Sequence, residues 1–477
     1  MSVIHAEVCV VGGGPAGAGC ALRMAQLGHT VALVERERFP RPHVGESLVS
    51  AVLPLLDVLG IRREIEAAAF LRPRGTILQW AGATEYRRSS PAAGFQVDRG
   101  QFDAIVLDAA RAAGVQVVQP GRAMPPARHG DHWRTAVSGD GGTLTVASRM
   151  VADAAGRPGW LRRSRHVASP RTLAIYAYWR DVPLRGPETR VEAGDAHWYW
   201  GAPLPGGLFN VAVFVDRSTA VPAIRSAGAD PLYEHLVARS SLLAECRRGH
   251  RTGRVQVCEA TPSYVESPVT LDTVSIGEAA FAIDPLSSQG VHSALGSALH
   301  AAASAHTIIE RPADAALALA FYGQAQRDAA AFHARAAERG YREALGTWPG
   351  LFWQRRAGED SQATSPDPRM TSAAQRVTPD LSTTVRVCDG VRVVTAPVVA
   401  HDFVVPGTRI LMPGVDHDVA FVGDVEVGPL LVMAQQPVSV ERLLETWGAR
   451  IDRDRALAIF ESLWAHGMLR ATDPHSP

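Results

Sequence analysis

Val8-Cys-Val-Val-Gly-Gly-Gly-Pro-Ala-Gly17, continued through a stretch to Leu27 and closed by Thr30-Val-Ala-Leu-Val-Glu35, decides the fold of this 477-residue chain. The apolar run Val8 to Val11 suits a strand buried on both faces, and the glycine cluster marks a tight turn. A helix is predicted to about Leu27, with a second strand over Thr30 to Glu35. Strand, turn, helix and strand form a βαβ unit. Gly12-x-Gly14-x-x-Gly17 stands at the strand-to-helix turn, where backbone amides and the helix dipole hold a pyrophosphate. Glu35 follows Gly17 by eighteen residues and is placed to accept hydrogen bonds from adenosine ribose hydroxyls. The predicted nucleotide site therefore comprises Gly12, Gly14, Pro15, Ala16, Gly17, Glu35 and the adjoining Arg36. The competing reading is a glycine-rich turn with a packing role only.

The length suits two or three domains with room for a cofactor and a substrate. Basic and acidic residues number 48 each, so nothing favours nucleic acid or an anionic membrane as partner. All 48 basic residues are arginine; the chain has no lysine. Its five cysteines, Cys9, Cys20, Cys246, Cys258 and Cys388, are scattered and lack metal-ligand spacing, which predicts reduced thiols, no metal and a cytoplasmic location. The apolar N-terminal stretch has no basic leader and carries the glycines of a folded turn, so it is not read as a signal peptide. No apolar run approaches the roughly 20 residues of a membrane helix.

Downstream, Gln101 to Ala113 carries Phe102, Ile105, Val106, Ala109 and Ala110 on one helical face, and Val115 to Val118 follows as a strand. Residues 71–97 and 172–271 read as short strands with aromatics, an inserted sheet facing the substrate. Two long alanine-rich helices are predicted between Ser287 and Arg342. The fold class is α/β with α+β character: a Rossmann-type domain (about 1–70, 98–171 and 272–345) interleaved with that sheet within 1–357. Residues 358–375 have linker composition. Beyond them, 376–477 predict a small winged-helix-like domain: a hairpin-like turn at Cys388-Asp-Gly390, helices over Ser439 to Trp447 and Arg453 to His466, and a closing strand at Gly467 to Arg470. Leu443, Leu444, Trp447, Ile459, Leu463 and Trp464 are either that module's core or the frame of a peptide-binding groove.

Four segments together, Gly12 to Gly17, Arg41-Pro-His-Val-Gly-Glu-Ser47, Asp153-Ala-Ala-Gly-Arg157 and Gly277-Glu-Ala-Ala-Phe-Ala-Ile-Asp-Pro-Leu-Ser-Ser-Gln-Gly290, resemble the flavin-dependent monooxygenase and tryptophan-halogenase superfamily over about residues 1–342. The resemblance implies FAD. It places Val44, Gly45, Glu46 and Ser47 along the isoalloxazine, Arg99 at the FAD from a helix start, and Asp153 beside the cofactor. Gly277 and Glu278 fall at the ribityl-phosphate region, with Glu278 where the family usually has aspartate. Pro285, Ser288, Gln289, Gly290 and Val291 open a helix whose amides face the flavin N1 and C2 carbonyl, favouring an anionic reduced ring.

Trp198-Tyr-Trp-Gly-Ala-Pro203 is close to the Trp-x-Trp-x-Ile-Pro signature of flavin halogenases. Those enzymes also need a lysine and a glutamate after the Pro-Leu of the helix-opening loop; this chain has no lysine and carries Ser287 there, which argues against halogenation. What remains resembles the branch that acts on tryptophan side chains within proteins, most like the flavoprotein monooxygenase of quinohemoprotein amine dehydrogenase maturation. That resemblance implies a protein or peptide precursor as partner, dioxygen as co-substrate and NADH or NADPH as donor. A small-molecule aromatic hydroxylase or other flavin oxidoreductase, and a non-catalytic flavoprotein partner of a modified protein, are the alternatives. Asp284, His43 and His292 lie in flavin-proximal motifs as candidate acid–base residues. Trp80, Trp179, Trp198 and Trp200 either stack on substrate or fill core.

Overall fold

The computed structural model describes residues 2–89, 94–167, 169–184, 186–358, 379–412, 419–423 and 425–472. Except for Gly358, the expected linker lies outside them. Two compact units divide the chain: residues 1–310 with 322–359, and residues 311–321 with 360–477.

In the first unit, strand Ser2–Val11 pairs in parallel with Val31–Val34 on one side and with Gly142–Asp153 on the other. Gln116–Val118 and Thr273–Ser275 extend the parallel set outward, and His132–Gly139 joins antiparallel. Cys9, Val10, Val31, Ala32, Leu33 and Val151 are almost wholly buried, as unbroken apolar strands require when both faces of a sheet are covered. Helix Pro15–Gln26 starts at its proline, whose missing N–H costs nothing there, and packs against helix Gly290–Glu310.

A second sheet of seven strands runs in the order His250–Glu259, Thr172–Arg180, Leu208–Asp216, His197–Leu204, Thr189–Ala193, Gly75–Gln79 and Thr84–Arg88. Its two faces differ because side chains alternate along each strand. Ile175, Ala177 and Trp179 join Phe209, Val211 and Tyr233 in one core. On the other face Trp80, Trp198, Trp200 and Phe214 are covered by Tyr341, Phe352 and Trp353 from the end of helix Ala315–Leu345 and helix Leu351–Gln354. Trp198 stacks on Phe214 with centroids 3.8 Å apart, and Trp353 Nε1 donates to the Gly194 carbonyl at 2.9 Å. All four tryptophans of the sheet insertions are therefore core.

The second unit holds an antiparallel sheet of Val438–Ser439, Thr384–Val387 and Leu469–Ala471 with helices Gly428–Val432, Val440–Gly448 and Arg453–Ala465. Leu443, Leu444, Trp447, Ile459 and Leu463 form its core, with Trp464 packed against them. The turn at Cys388-Asp-Gly390 does not join two paired strands, as its glycine suggested. The hairpin is Arg392–Ala400 with Phe403–Leu411, and its two-residue turn is His401-Asp402, with φ of 49° and 68°. Positive φ at both positions gives the twist that a tight hairpin needs, and aspartate tolerates it. No helix among the described residues is long and apolar enough to cross a membrane.

Candidate functional site

The glycine turn is built by three different constraints. A Cβ on Gly12 would lie 2.3 Å from the Ala154 carbonyl oxygen, and one on Gly17 would lie 1.9 Å from the Gly12 oxygen. Those glycines let strand, turn and helix close up. Gly14 differs, since its Cβ would meet only Arg41 Nη2, at 3.6 Å. The open side of Gly14, beside the orphan amides of the first helical turn, is the space a diphosphate requires, and the residues fit a dinucleotide. Pro15 and Ala16 are buried in that turn. Glu35 is drawn onto it: Oε2 accepts the Gly13 N–H at 2.6 Å and Oε1 the Glu37 N–H at 2.8 Å. Arg36 is exposed beside Glu37.

Residues 43–47 form the next wall. Gly45 has φ +101°, and a Cβ there would press on Arg99 Nη1 at 3.0 Å. Arg99 is buried; Nη1 donates to the Val44 and Gly45 carbonyls at 2.9 and 3.3 Å, and Nε and Nη2 donate to the buried Asp103 at 3.0 and 3.1 Å. Arg99 thus ties its helix to the loop, and these donors are engaged within the protein. Ser47 Oγ accepts from Gln96 at 3.3 Å. His43 is exposed, with Nδ1 2.7 Å from the Val44 carbonyl.

Glu46 points from this loop into the seven-stranded sheet. Its Oε1 accepts from Tyr178 Oη at 2.7 Å and Asn210 Nδ2 at 3.0 Å, and its Oε2 accepts the Gly45 N–H at 2.8 Å. It is 2 % exposed, and burial raises its pKa above the usual carboxylate value, against the opposing pull of those hydrogen bonds. Tyr176 lies against Tyr178, its hydroxyl pushed up to about 12 by burial. Tyr178, Tyr176 and Asn210 were not singled out in the sequence. The available signal is strand alternation: in Thr172–Arg180 the tyrosines fall on the face opposite Ile175, Ala177 and Trp179.

On the far side, Gly277 has φ +59°; a Cβ there would lie 2.6 Å from that of Ala16, and its N–H donates to Ser297 Oγ at 3.0 Å. Glu278 pairs with Arg157 at 2.9 Å. Asp153 accepts from the Ala155, Trp160 and Leu161 amides, which folds residues 155–161 back over the strand end. Asp284 is buried under the helix-opening loop. It caps Leu286 N–H at 3.0 Å and accepts Tyr341 Oη at 3.1 and 3.0 Å on its two oxygens, and burial raises its pKa. With both oxygens engaged inside the protein, Asp284 braces the loop Pro285–Ser287. Ser288, at φ +51°, redirects the chain into helix Gly290–Glu310. Gln289, Gly290 and Val291 form its first turn, and a Cβ on Gly290 would meet nothing within 4 Å. His292 keeps a buried Nδ1 with no hydrogen-bond partner, and burial lowers its pKa.

These pieces are joined by pairwise contacts: Gly14 faces Arg41, Gly277 lies against Ala16 and Ala294, and Glu46 ties loop 43–47 to Tyr178 and Asn210 of the sheet. A hollow of about 360 Å³ lined by Leu173, Val221, Ile224 and Val257 opens on the opposite face of the sheet and is separate from this site.

A family model described as FAD binding domain matches residues 5–237. A tryptophan 2-halogenase of Chondromyces crocatus is 31 % identical over 336 residues, covering 66 % of this chain and 64 % of its own length. The chain thus spans just under two thirds of that relative. Among solved structures, the flavin-dependent halogenase CmlS superposes with a TM-score of 0.78 at 24 % identity, covering 99 % of this chain and 97 % of that one, a likeness of fold. The peptidyl tryptophan dihydroxylase QhpG, essential for tryptophylquinone cofactor biogenesis, superposes with a TM-score of 0.71 at 25 % identity, covering 97 % of this chain and all of that one (100 %).

Proposed function

From the premise that residues 5–237 carry an FAD binding domain, we propose that the chain is an FAD-dependent monooxygenase that hydroxylates a tryptophan side chain of a partner protein precursor, taking electrons from NADH or NADPH. The observation that carries this reading is the absence of lysine from all 477 residues, with Ser287 where the halogenases need glutamate. The end-to-end likeness to a peptidyl tryptophan dihydroxylase supports a protein substrate.

Bound at this site, the flavin supplies oxygen-atom transfer from dioxygen. The chain's residues do the rest. The Gly12–Gly17 turn and the helix behind it hold the diphosphate, and Glu35 faces the ribose. Val44, Gly45 and Ser47 form one wall, held by Arg99 and its partner Asp103. The helix start at Gly290 and Val291 would offer its dipole to negative charge on the ring, and the loop before it is braced by Asp284 and Tyr341. Glu46, oriented by Tyr178 and Asn210, is the acid–base group of the site: burial raises its pKa above the usual carboxylate value, which favours its taking the proton an indole loses on hydroxylation.

Halogenation is the second reading, favoured by Trp198-Tyr-Trp-Gly-Ala-Pro203 and the halogenase relatives. Mass spectrometry of the precursor after reaction with enzyme, FAD, NADH and labelled dioxygen, in the presence of chloride, separates the two. One or two labelled oxygens on tryptophan are expected. Chlorine on the product, or an unchanged precursor with NADH still oxidised, overturns the proposal in favour of a halogenase or a small-molecule hydroxylase. No turnover of either kind points to a non-catalytic flavoprotein partner.

A further inference from the structure

Far from the flavin site, three potential metal-ligand atoms, one each from Glu7, His29 and Glu310, lie within 4.8 Å of one another. Glu7 comes from the first strand, His29 from the turn after the first helix, and Glu310 from the last turn of helix Gly290–Glu310. That helix has 21 residues and is about 30 Å long, so Glu310 sits at the opposite end from the flavin-facing Gly290.

The Glu7 carboxylate is fixed by Thr30, whose N–H and Oγ1 donate to Oε2 at 2.9 and 3.2 Å; Oε1 is left facing His29 Nδ1 at 3.4 Å. Ligands about 2.0–2.1 Å from a tetrahedral zinc ion stand roughly 3.4 Å apart. His29 is buried, and its other nitrogen, Nε2, is 2.8 Å from Nδ1 of the buried His306. His306 precedes Glu310 by four residues on one helix, so both face the same way. An imidazole that ligates through one nitrogen and gives its other N–H to a fixed acceptor is the usual support for a metal ligand. With Nε2–H donated to His306, the lone pair of Nδ1 would face a carboxylate, an arrangement that calls for a cation between them. Among the described residues no arginine pairs with Glu7 or Glu310, in a chain with 48 arginines, and the last turn of this helix carries no basic residue against its negative dipole end.

We propose that Glu7, His29 and Glu310 bind a divalent cation of the zinc type, with His306 orienting His29 and water completing the shell. The role is structural: the ion ties the end of the helix to the first strand and to the turn at His29. The opposite tautomer, with His29 Nδ1–H donated to Glu7, makes the same contacts without a cation and is the rival to be excluded.

The test is calorimetric titration of the chelator-treated, full-length flavoprotein with zinc ion, together with thermal melting. One ion per chain is expected, with a melting temperature that rises on loading. Affinity falls at least tenfold in the exposed, fold-neutral Glu310→Gln and in His29→Gln, and about ten- to a hundredfold in His306→Phe. Absence of uptake, or uptake that Glu310→Gln and His29→Gln leave unchanged, overturns the site and leaves a hydrogen-bond relay with adventitious zinc elsewhere.

Discussion

Single atoms decide most at the glycine turn, where three glycines identical on paper have unlike surroundings. A methyl on Gly17 collides with the Gly12 carbonyl at 1.9 Å, whereas one on Gly14 reaches nothing closer than 3.6 Å. Gly17→Ala is therefore expected to lower the melting temperature of the apoprotein, while Gly14→Ala melts like the parent but retains less flavin, read as flavin absorbance per chain. Equal melting losses in the two would show that Gly14 has only a packing role. Glu46 belongs to the same scale. Replacing it by glutamine keeps its shape and its acceptor for Tyr178 and Asn210, but removes the titrating proton and the acceptor of the Gly45 N–H. Hydroxylation should fall by about 10²–10⁴ with flavin content unchanged. A rate within a few-fold of the parent would return Glu46 to a purely cofactor-lining role.

Between elements, packing is concentrated where the ends of two helices seal the aromatic face of the second sheet. Trp353 is fully buried, lies 5.3 Å from Trp80 between ring centroids and donates to the Gly194 carbonyl. Trp353→Ala should cost about 3–5 kcal/mol, measured by denaturant unfolding. Buried histidines tie other elements together. His333, bonded to Ser293 across the two long helices, and His197, bonded to Tyr199, are each pushed down to about 4 by burial. An unfolded histidine binds its proton near pH 6.5, so the unfolded chain takes up protons first as pH falls. Stability is thus fully present above about pH 6.5 and is lost between there and about pH 4, by on the order of 2–3 kcal/mol for each histidine. His333→Gln should flatten part of that slope in melting curves taken across the interval; an unchanged slope would show that His333 remains solvated.

For the whole molecule, the division into units does not follow chain order. Residues 311–321 group with the C-terminal unit although they lead the helix that returns to the first. A chain ending at Gly358 keeps that segment without its unit, and should melt below the full-length protein while retaining FAD. If the C-terminal unit recruits the precursor, the truncated chain keeps NADH oxidation in the absence of precursor but loses tryptophan modification. Intact modification by the truncated chain would place recognition in the first unit.

The sequence by itself determined the dinucleotide fold. Gly12, Gly14 and Gly17 between a buried strand and a helix, with Glu35 at the next strand end, are local patterns whose chemistry acts over a few residues. The loop at Arg41 to Ser47 and the helix opening at Asp284 to Gly290 were picked out by resemblance, as contiguous motifs similar to those of flavoenzymes. Tyr178, Asn210 and Tyr341 were not, because each acquires its meaning from a partner far along the chain: Glu46 is 132 residues from Tyr178 and 164 from Asn210, and Asp284 is 57 from Tyr341. The tertiary structure alone decided that Arg99 is bonded to Asp103 and the loop, that the four sheet tryptophans are core, and that Asp284 braces a loop. Burial and hydrogen-bond satisfaction are properties of surroundings assembled from distant segments, and no local pattern encodes them.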